Sequence, residues 1–352
     1  MKSRERRFLG SIGLITTGLI SILFFVCISS GNNADNEPLK QARQIFGTLP
    51  KVMESEKNSV TPEKVELGKI LFYETRISVD GTASCSRCHP MGLYAADGLK
   101  KSVGNNCKVN ARNAPTVLNA AGQISAHWIG NRTSVEDQAK QSVIGPASFG
   151  MPSYEAVEKI LKESKEYNDL FSKAFPGEKD PVNIDNFAKA IGAFERTLVT
   201  PSPFDAFLNG DEESLTKQQK QGLKIFMDLG CSGCHTGPFI GGQIYQKFGI
   251  VEPYWKYTKN ETIDEGRFEA TKQEPDKYVF KVPLLRNVEK TAPYFHDGSV
   301  ARLEDTVRIM GKVQLGKDLD KPQLEDICAF LQSLTGQIPD DAMKIPLLPS
   351  TK

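Results

Sequence analysis

Cys85-Ser86-Arg87-Cys88-His89 and Cys231-Ser232-Gly233-Cys234-His235 repeat one pattern, Cys-x-x-Cys-His. Together they use four of the seven cysteines and two of the four histidines in 352 residues, which chance does not produce twice. The spacing has a chemical reason. Two thiols add to the two vinyl groups of one haem, and the adjacent imidazole reaches the iron as its proximal ligand. A redox dithiol or a zinc site has no use for the same histidine in both copies. The chain therefore reads as a carrier of two covalently bound c-type haems, with iron on His89 and His235.

Outward from each pentapeptide the sequence repeats itself. Thr61-Pro62 opens a helix with proline in its first turn, and Gly68-Lys69-Ile70-Leu71-Phe72 lies within it. Thr216 opens another, with Gln219 placed for a capping box and Gly222-Leu223-Lys224-Ile225-Phe226 at the matching place. Further helical stripes are Val157/Ile160/Leu161, Tyr167/Leu170/Phe171/Ala174, Phe187/Ile191/Phe194/Leu198 and Leu324/Ile327/Cys328/Leu331/Leu334, the last closed by Gly336. No alternating set of strands stands out. The expected fold is mainly α: two c-type cytochrome-like haem domains in tandem, rich in loops. Thr200-Pro201-Ser202-Pro203 marks the boundary. Residues 35–200 form the first haem domain, 201–337 the second and 338–352 a tail.

Forty-four Lys and Arg against 43 Asp and Glu leave a net charge of +1, which gives nucleic acid no handle. With 39% hydrophobic and 25% charged residues, the chain can bury a core. Lys2, Arg4, Arg6 and Arg7 precede an uncharged stretch from Phe8 to Ala34. Residues 1–34 thus read as a signal peptide, cleaved near Ser29-Ser30-Gly31, or as a retained N-terminal membrane anchor. Cys27 lacks the preceding small residue of a lipoprotein site. In either case the remainder is exported.

The segments Leu67–Phe72, Arg112–Asn119, Thr291–His296, and Met310-Gly311 with Gln314-Leu315-Gly316 resemble the bacterial dihaem cytochrome c peroxidases, over nearly the whole chain after the leader. The resemblance implies a periplasmic, usually homodimeric enzyme. It reduces hydrogen peroxide to water with electrons from a small cytochrome c or cupredoxin. It also implies that one haem meets peroxide while the other admits electrons, with a calcium ion between the domains. Carried over residue by residue, the calcium ligands fall on Asn113, Thr291 and Pro293, and the tryptophan between the haems falls on Trp128. Met310 falls on the sulfur ligand of the second iron. A sulfur ligand raises the potential and closes the iron, which suits electron entry. A related enzyme that matures methylamine dehydrogenase has tyrosine at this place. Arg286 offers a bidentate fork to a haem propionate, with a surface ion pair as the alternative.

The peroxidatic half departs from the pattern. Asn105 stands where the family has a histidine that caps the first iron, and asparagine is a poor iron ligand. Either that iron is permanently open, or Cys107, His127 or Met151 takes over; Cys107 also reads as a small buried hydrophobe and His127 as a hydrogen-bonded pocket residue. The family's acid–base glutamate is replaced by Gly150, in a rebuilt loop, although its glutamine survives as Gln138. No Asp or Glu lies between Asp137 and Glu155. Glu136 and Asp137, the nearest carboxylates, could substitute for that glutamate, but they read rather as a solvated helical face. Placing glutamate at position 150 is expected to raise peroxide turnover. Three functions fit: a peroxidase with an altered pocket, an electron-transfer cytochrome with both irons six-coordinate, and a high-valent-iron oxidase of a protein or organic substrate. Two haems with an inter-haem tryptophan favour the first.

Overall fold

Thr61 caps the helix Pro62–Phe72 by accepting the Lys64 N–H, and Thr216 caps Lys217–Asp228, where Gln219 completes the capping box. A computed structural model describes residues 37–259 and 262–350. The leader expected over residues 1–34, including Cys27, lies outside the described residues.

Each of these helices crosses a later helix at a glycine. A Cβ on Gly68 would sit 1.9 Å from the Ala190 carbonyl oxygen, and one on Gly222 would sit 1.8 Å from that of Asp326. Only glycine permits such an approach. One turn on, Phe72 packs edge-on against Phe194 at 5.4 Å, and Phe226 meets Phe330 at 5.3 Å. The partner helices are Ile184–Arg196 and Lys321–Gln332. The sequence repeat is thus a repeat of helix crossings, one in each half. The stripes over 157–161 and 167–174 lie in the helices Tyr154–Lys162 and Lys165–Ala174.

Two apolar cores result. The first gathers Leu67, Leu71, Phe171, Phe187, Ile191 and Phe194; the second gathers Leu223, Phe226, Ile327, Phe330 and Leu331. The first and last described segments exchange sides. Leu39, Ala42 and Phe46, on the early side of the expected boundary, pack into the second core. Ile338 and Ala342, expected in a tail, pack into the first. From Glu37 onward the chain therefore clusters as one unit.

The boundary segment is not a loose linker. Thr200 is fully buried, and its hydroxyl accepts from the side-chain amides of Asn119 (2.7 Å) and Asn287 (2.9 Å). These asparagines occupy equivalent places in the two halves. Both have positive φ, and their N–H groups bond the carbonyls of Leu198 and Leu334, the last members of matching helical stripes. Gly336 does not close its helix, which ends at Gln332 with Ser333 as cap. Its role is close approach, since a Cβ there would lie 2.1 Å from the Thr200 carbonyl oxygen. The only paired strands among the described residues are Tyr245–Lys247 and Val279–Lys281, antiparallel, with Gln246 opposite Phe280. No described helix is long and apolar enough to cross a membrane.

Candidate haem sites

In both halves the pentapeptide forms a short turn directly after the gap that follows its glycine-bearing helix. His89 Nδ1 lies 3.1 Å from the Ala95 carbonyl oxygen, and His235 Nδ1 lies 3.4 Å from that of Ile240. A ring N–H given to a backbone carbonyl fixes the tautomer and leaves Nε2 as the ligating nitrogen. Burial holds both rings neutral, lowering the His235 pKa to about 4 and His89 below its ordinary value. Cys85, Cys88, Cys231 and Cys234 are half-buried and form no disulfide, so each pair can make thioether bonds.

The second half encloses the better-defined site. One cavity is lined by Cys231, Cys234 and His235 and by Met310, carried on the helix Leu303–Leu315. A proximal imidazole, two thiols and a thioether sulfur around one largely apolar cavity fit a c-type haem. Trp128 reaches the same cavity, donating Nε1–H to the Asn113 carbonyl oxygen at 2.9 Å. Asn113, Thr291 and Pro293 line it too. The Asn113 amide nitrogen donates to the Leu99 carbonyl at 2.7 Å, which leaves its side-chain oxygen as the available donor atom. Oxygen donors of this kind suit a hard cation.

Arg286 lines the cavity but is no surface residue. It is fully buried, its fork is taken by Asp205, and its Nε donates to the Pro238 carbonyl at 2.9 Å. The surface-pair expectation fails because the guanidinium lies between the second core and the boundary segment, where only a buried carboxylate can neutralise it.

The first half brings together the two positions where the resemblance breaks. Asn105 is fully buried, and its amide donates to the carbonyls of Pro146 (2.9 Å) and Ser148 (3.1 Å). Gly150 abuts it: a Cβ there would lie 2.6 Å from Asn105 Nδ2, at φ +71. Asn105 thus clamps the rebuilt loop rather than pointing an amide at metal. The expected gain from glutamate at position 150 is withdrawn, since the conformation favours glycine and the space is filled. Met151 is buried in the first core, with its N–H on the Val143 carbonyl. Cys107 is exposed, contrary to its reading as a buried hydrophobe. His127 lines the His235–Met310 cavity, with Nδ1 on Asn131 Oδ1 at 2.9 Å. Gln138 is half-buried on the helix Val135–Ile144 and does not line that cavity.

Glu136 is not on a solvated face. It pairs with Arg196 at 2.9 Å and accepts from Asn58, which occupies it structurally. Two buried groups escaped the sequence reading. Glu195 has its pKa pushed up to about 8, first by burial and then by the Glu136 charge, so it is largely neutral at pH 7. Lys281 is buried with its ammonium on Gln123 Oε1 (2.6 Å) and Ser125 O (2.8 Å). Both sit in runs whose apolar neighbours gave no signal of a buried charge.

Residues 62–213 match the di-haem cytochrome c peroxidase family. The chain is 44% identical over 316 residues to a cytochrome c551 peroxidase of Pseudomonas aeruginosa, covering 88% of this chain and 89% of that one. It is 38% identical to a cytochrome c551 peroxidase of Nitrosomonas europaea, covering 95% of each. A crystal structure of a MauG-like protein associated with microbial copper homeostasis superposes with a TM-score of 0.76 at 26% identity, covering 85% of this chain and 97% of that one. With two haem-binding pentapeptides on equivalent helix crossings and relatives of this identity along nearly its whole length, the chain belongs to the di-haem cytochrome c peroxidase family.

Proposed function

We propose that the protein is an exported, periplasmic peroxidase that reduces hydrogen peroxide to water with electrons from a small cytochrome c or cupredoxin. The observation that carries this reading is the cavity shared by His235 and Met310 beside a second, separate Cys-x-x-Cys-His. A pair of haems would supply two one-electron centres, which suits the two-electron reduction of peroxide. His235 and Met310 would hold the electron-entry iron, and His89 would hold the iron that meets peroxide. Trp128, from the first half, would lie at the junction with the second, where its carbonyl accepts the Lys281 N–H, and Asn113, Thr291 and Pro293 would hold calcium at the same junction. The molecule works as a homodimer.

The chain's own groups set the limits of its chemistry. The neutral imidazoles need no deprotonation before ligating iron. The loop clamped by Asn105 carries no histidine that could cap the first iron, so a haem held by His89 would be open to peroxide without prior reduction. No carboxylate stands on the loop from Gln138 to Tyr154 to shuttle a proton between the peroxide oxygens. A positioned acid–base group contributes about 10²–10⁴-fold, so turnover is slower than in a pocket that has one.

Electron paramagnetic resonance of the untreated ferric protein tests this, together with peroxide consumption using a reduced c-type cytochrome. One high-spin and one low-spin haem with measurable turnover are expected. A second reading, an electron-transfer cytochrome with both irons capped, draws on Met151, which is buried in the core that Cys85 packs against. A wholly low-spin spectrum that gains a high-spin signal in Met151→Ala would establish it instead.

A further inference from the structure

Two buried cations line the His235–Met310 cavity, and only one is neutralised by protein. Arg286 has Asp205. Lys281 is 6% exposed and forms no ion pair among the described residues. Its ammonium has three N–H donors. Two go to neutral oxygens, Gln123 Oε1 and Ser125 O, both contributed by the first half. The side chain is held rigidly. Lys281 ends the strand Val279–Lys281, pairs across to Tyr245, and gives its main-chain N–H to the Trp128 carbonyl at 2.7 Å. Burial alone lowers its pKa to about 7, so a full positive charge here lacks a counter-ion. A buried charge is tolerated when it is paired.

A haem carries two propionate carboxylates, and apart from the iron these are its charged groups. We propose that Lys281 is the cationic partner of a propionate of the second haem, the role that Arg286 leaves vacant by pairing with Asp205. This deepens the two-haem reading and rests on the His235–Met310 cavity holding a haem. Lys281 is thereby a positioning residue. Its third N–H would hold the haem carboxylate, and its charge would favour the ferrous state by offsetting the added electron.

The test uses the holoprotein from a host with haem-attachment machinery. Lys281→Met is expected to keep two covalent haems by mass spectrometry. The ferrous-to-ferric equilibrium of the methionine-ligated haem should fall about tenfold, which is ~59 mV for one electron. Its propionate bending band in resonance Raman should shift, and Lys281→Arg should largely restore both. Two retained haems with an unchanged potential and band would overturn the assignment. If Lys281→Met does not take up the second haem, Gln123→Glu decides. It sets a carboxylate on the ammonium in place, and an unchanged potential there also overturns the proposal. Absence of haem from Cys231 and Cys234 in the native protein would instead remove the two-haem reading, and this assignment with it.

Discussion

His89 and His235 each spend Nδ1 on the carbonyl of a residue five or six positions later, and each is buried enough to stay neutral. This economy at the residue scale made the attachment sites readable from sequence, because thiol and imidazole spacing is a covalent requirement. The sixth position is different. Met310 reads as the ligand because Met343 is the only other methionine after His235, and replacing it tests that reading directly. Met310→His should keep the second iron low-spin while lowering its potential and abolishing its sulfur-to-iron charge-transfer band. If neither changes in redox titration and near-infrared spectra, another group ligates the iron. Asn105 and Gly150 were legible only as departures. Their mutual contact, with a Cβ at position 150 only 2.6 Å from the Asn105 amide, belongs to the folded loop and has no trace in one sequence. Gly150→Glu is accordingly expected to lower thermal stability without raising peroxide turnover. A rate increase in steady-state assays would show that the loop can open to accept the side chain.

At the scale of elements, capping and periodicity identified the main helices, and the repeated Gly-x-x-x-Phe placed two of them in equivalent roles. What periodicity does not carry is which helix lies across the glycine, since that contact joins Gly68 to Ala190 and Gly222 to Asp326 over more than a hundred residues of chain. Each crossing seats a haem domain's core, so the smallest added side chain should be costly there. Gly68→Ala and Gly222→Ala are each expected to destabilise by about 3 kcal/mol, the upper range for overpacking a tight core. Thermal or denaturant unfolding measures this, and a loss below 1 kcal/mol would mean that the helices slide apart easily. The short strand pair was missed for a simple reason: three residues each give no alternation to detect. It nonetheless places Lys281.

At the scale of the whole molecule, the halves are tied rather than strung together. The segment around Thr200 reads as a boundary for its prolines; Leu198 before it packs into the first core and Phe204 after it into the second. Its burial was invisible, because Thr200 is ordinary in sequence and exceptional only in having Asn119 and Asn287 converge on one hydroxyl. The exchanged segments, with Phe46 in the second core and Ile338 in the first, add a second tie. A pH effect also belongs at this scale. Glu195 ionises near pH 4.3 in the unfolded chain but holds its proton to about 8 when folded. Between those values the folded state binds more protons, so stability falls as pH rises. Glu195→Gln should match the native protein near pH 4 and exceed it increasingly toward pH 8; parallel stability curves would remove the buried acid from the account.

Thr200→Val tests the joint itself. It keeps the shape but leaves two buried amide N–H donors without an acceptor, each costing about 1–3 kcal/mol. Because one donor comes from each half, the loss should register in both. Hydrogen exchange should quicken around Leu198 and around Leu334, where the two asparagines also bond the chain through their N–H groups. Faster exchange in one half alone would mean that the halves are stabilised independently. Equal loosening on both sides would make a single hydroxyl the point at which the two halves share their folding free energy.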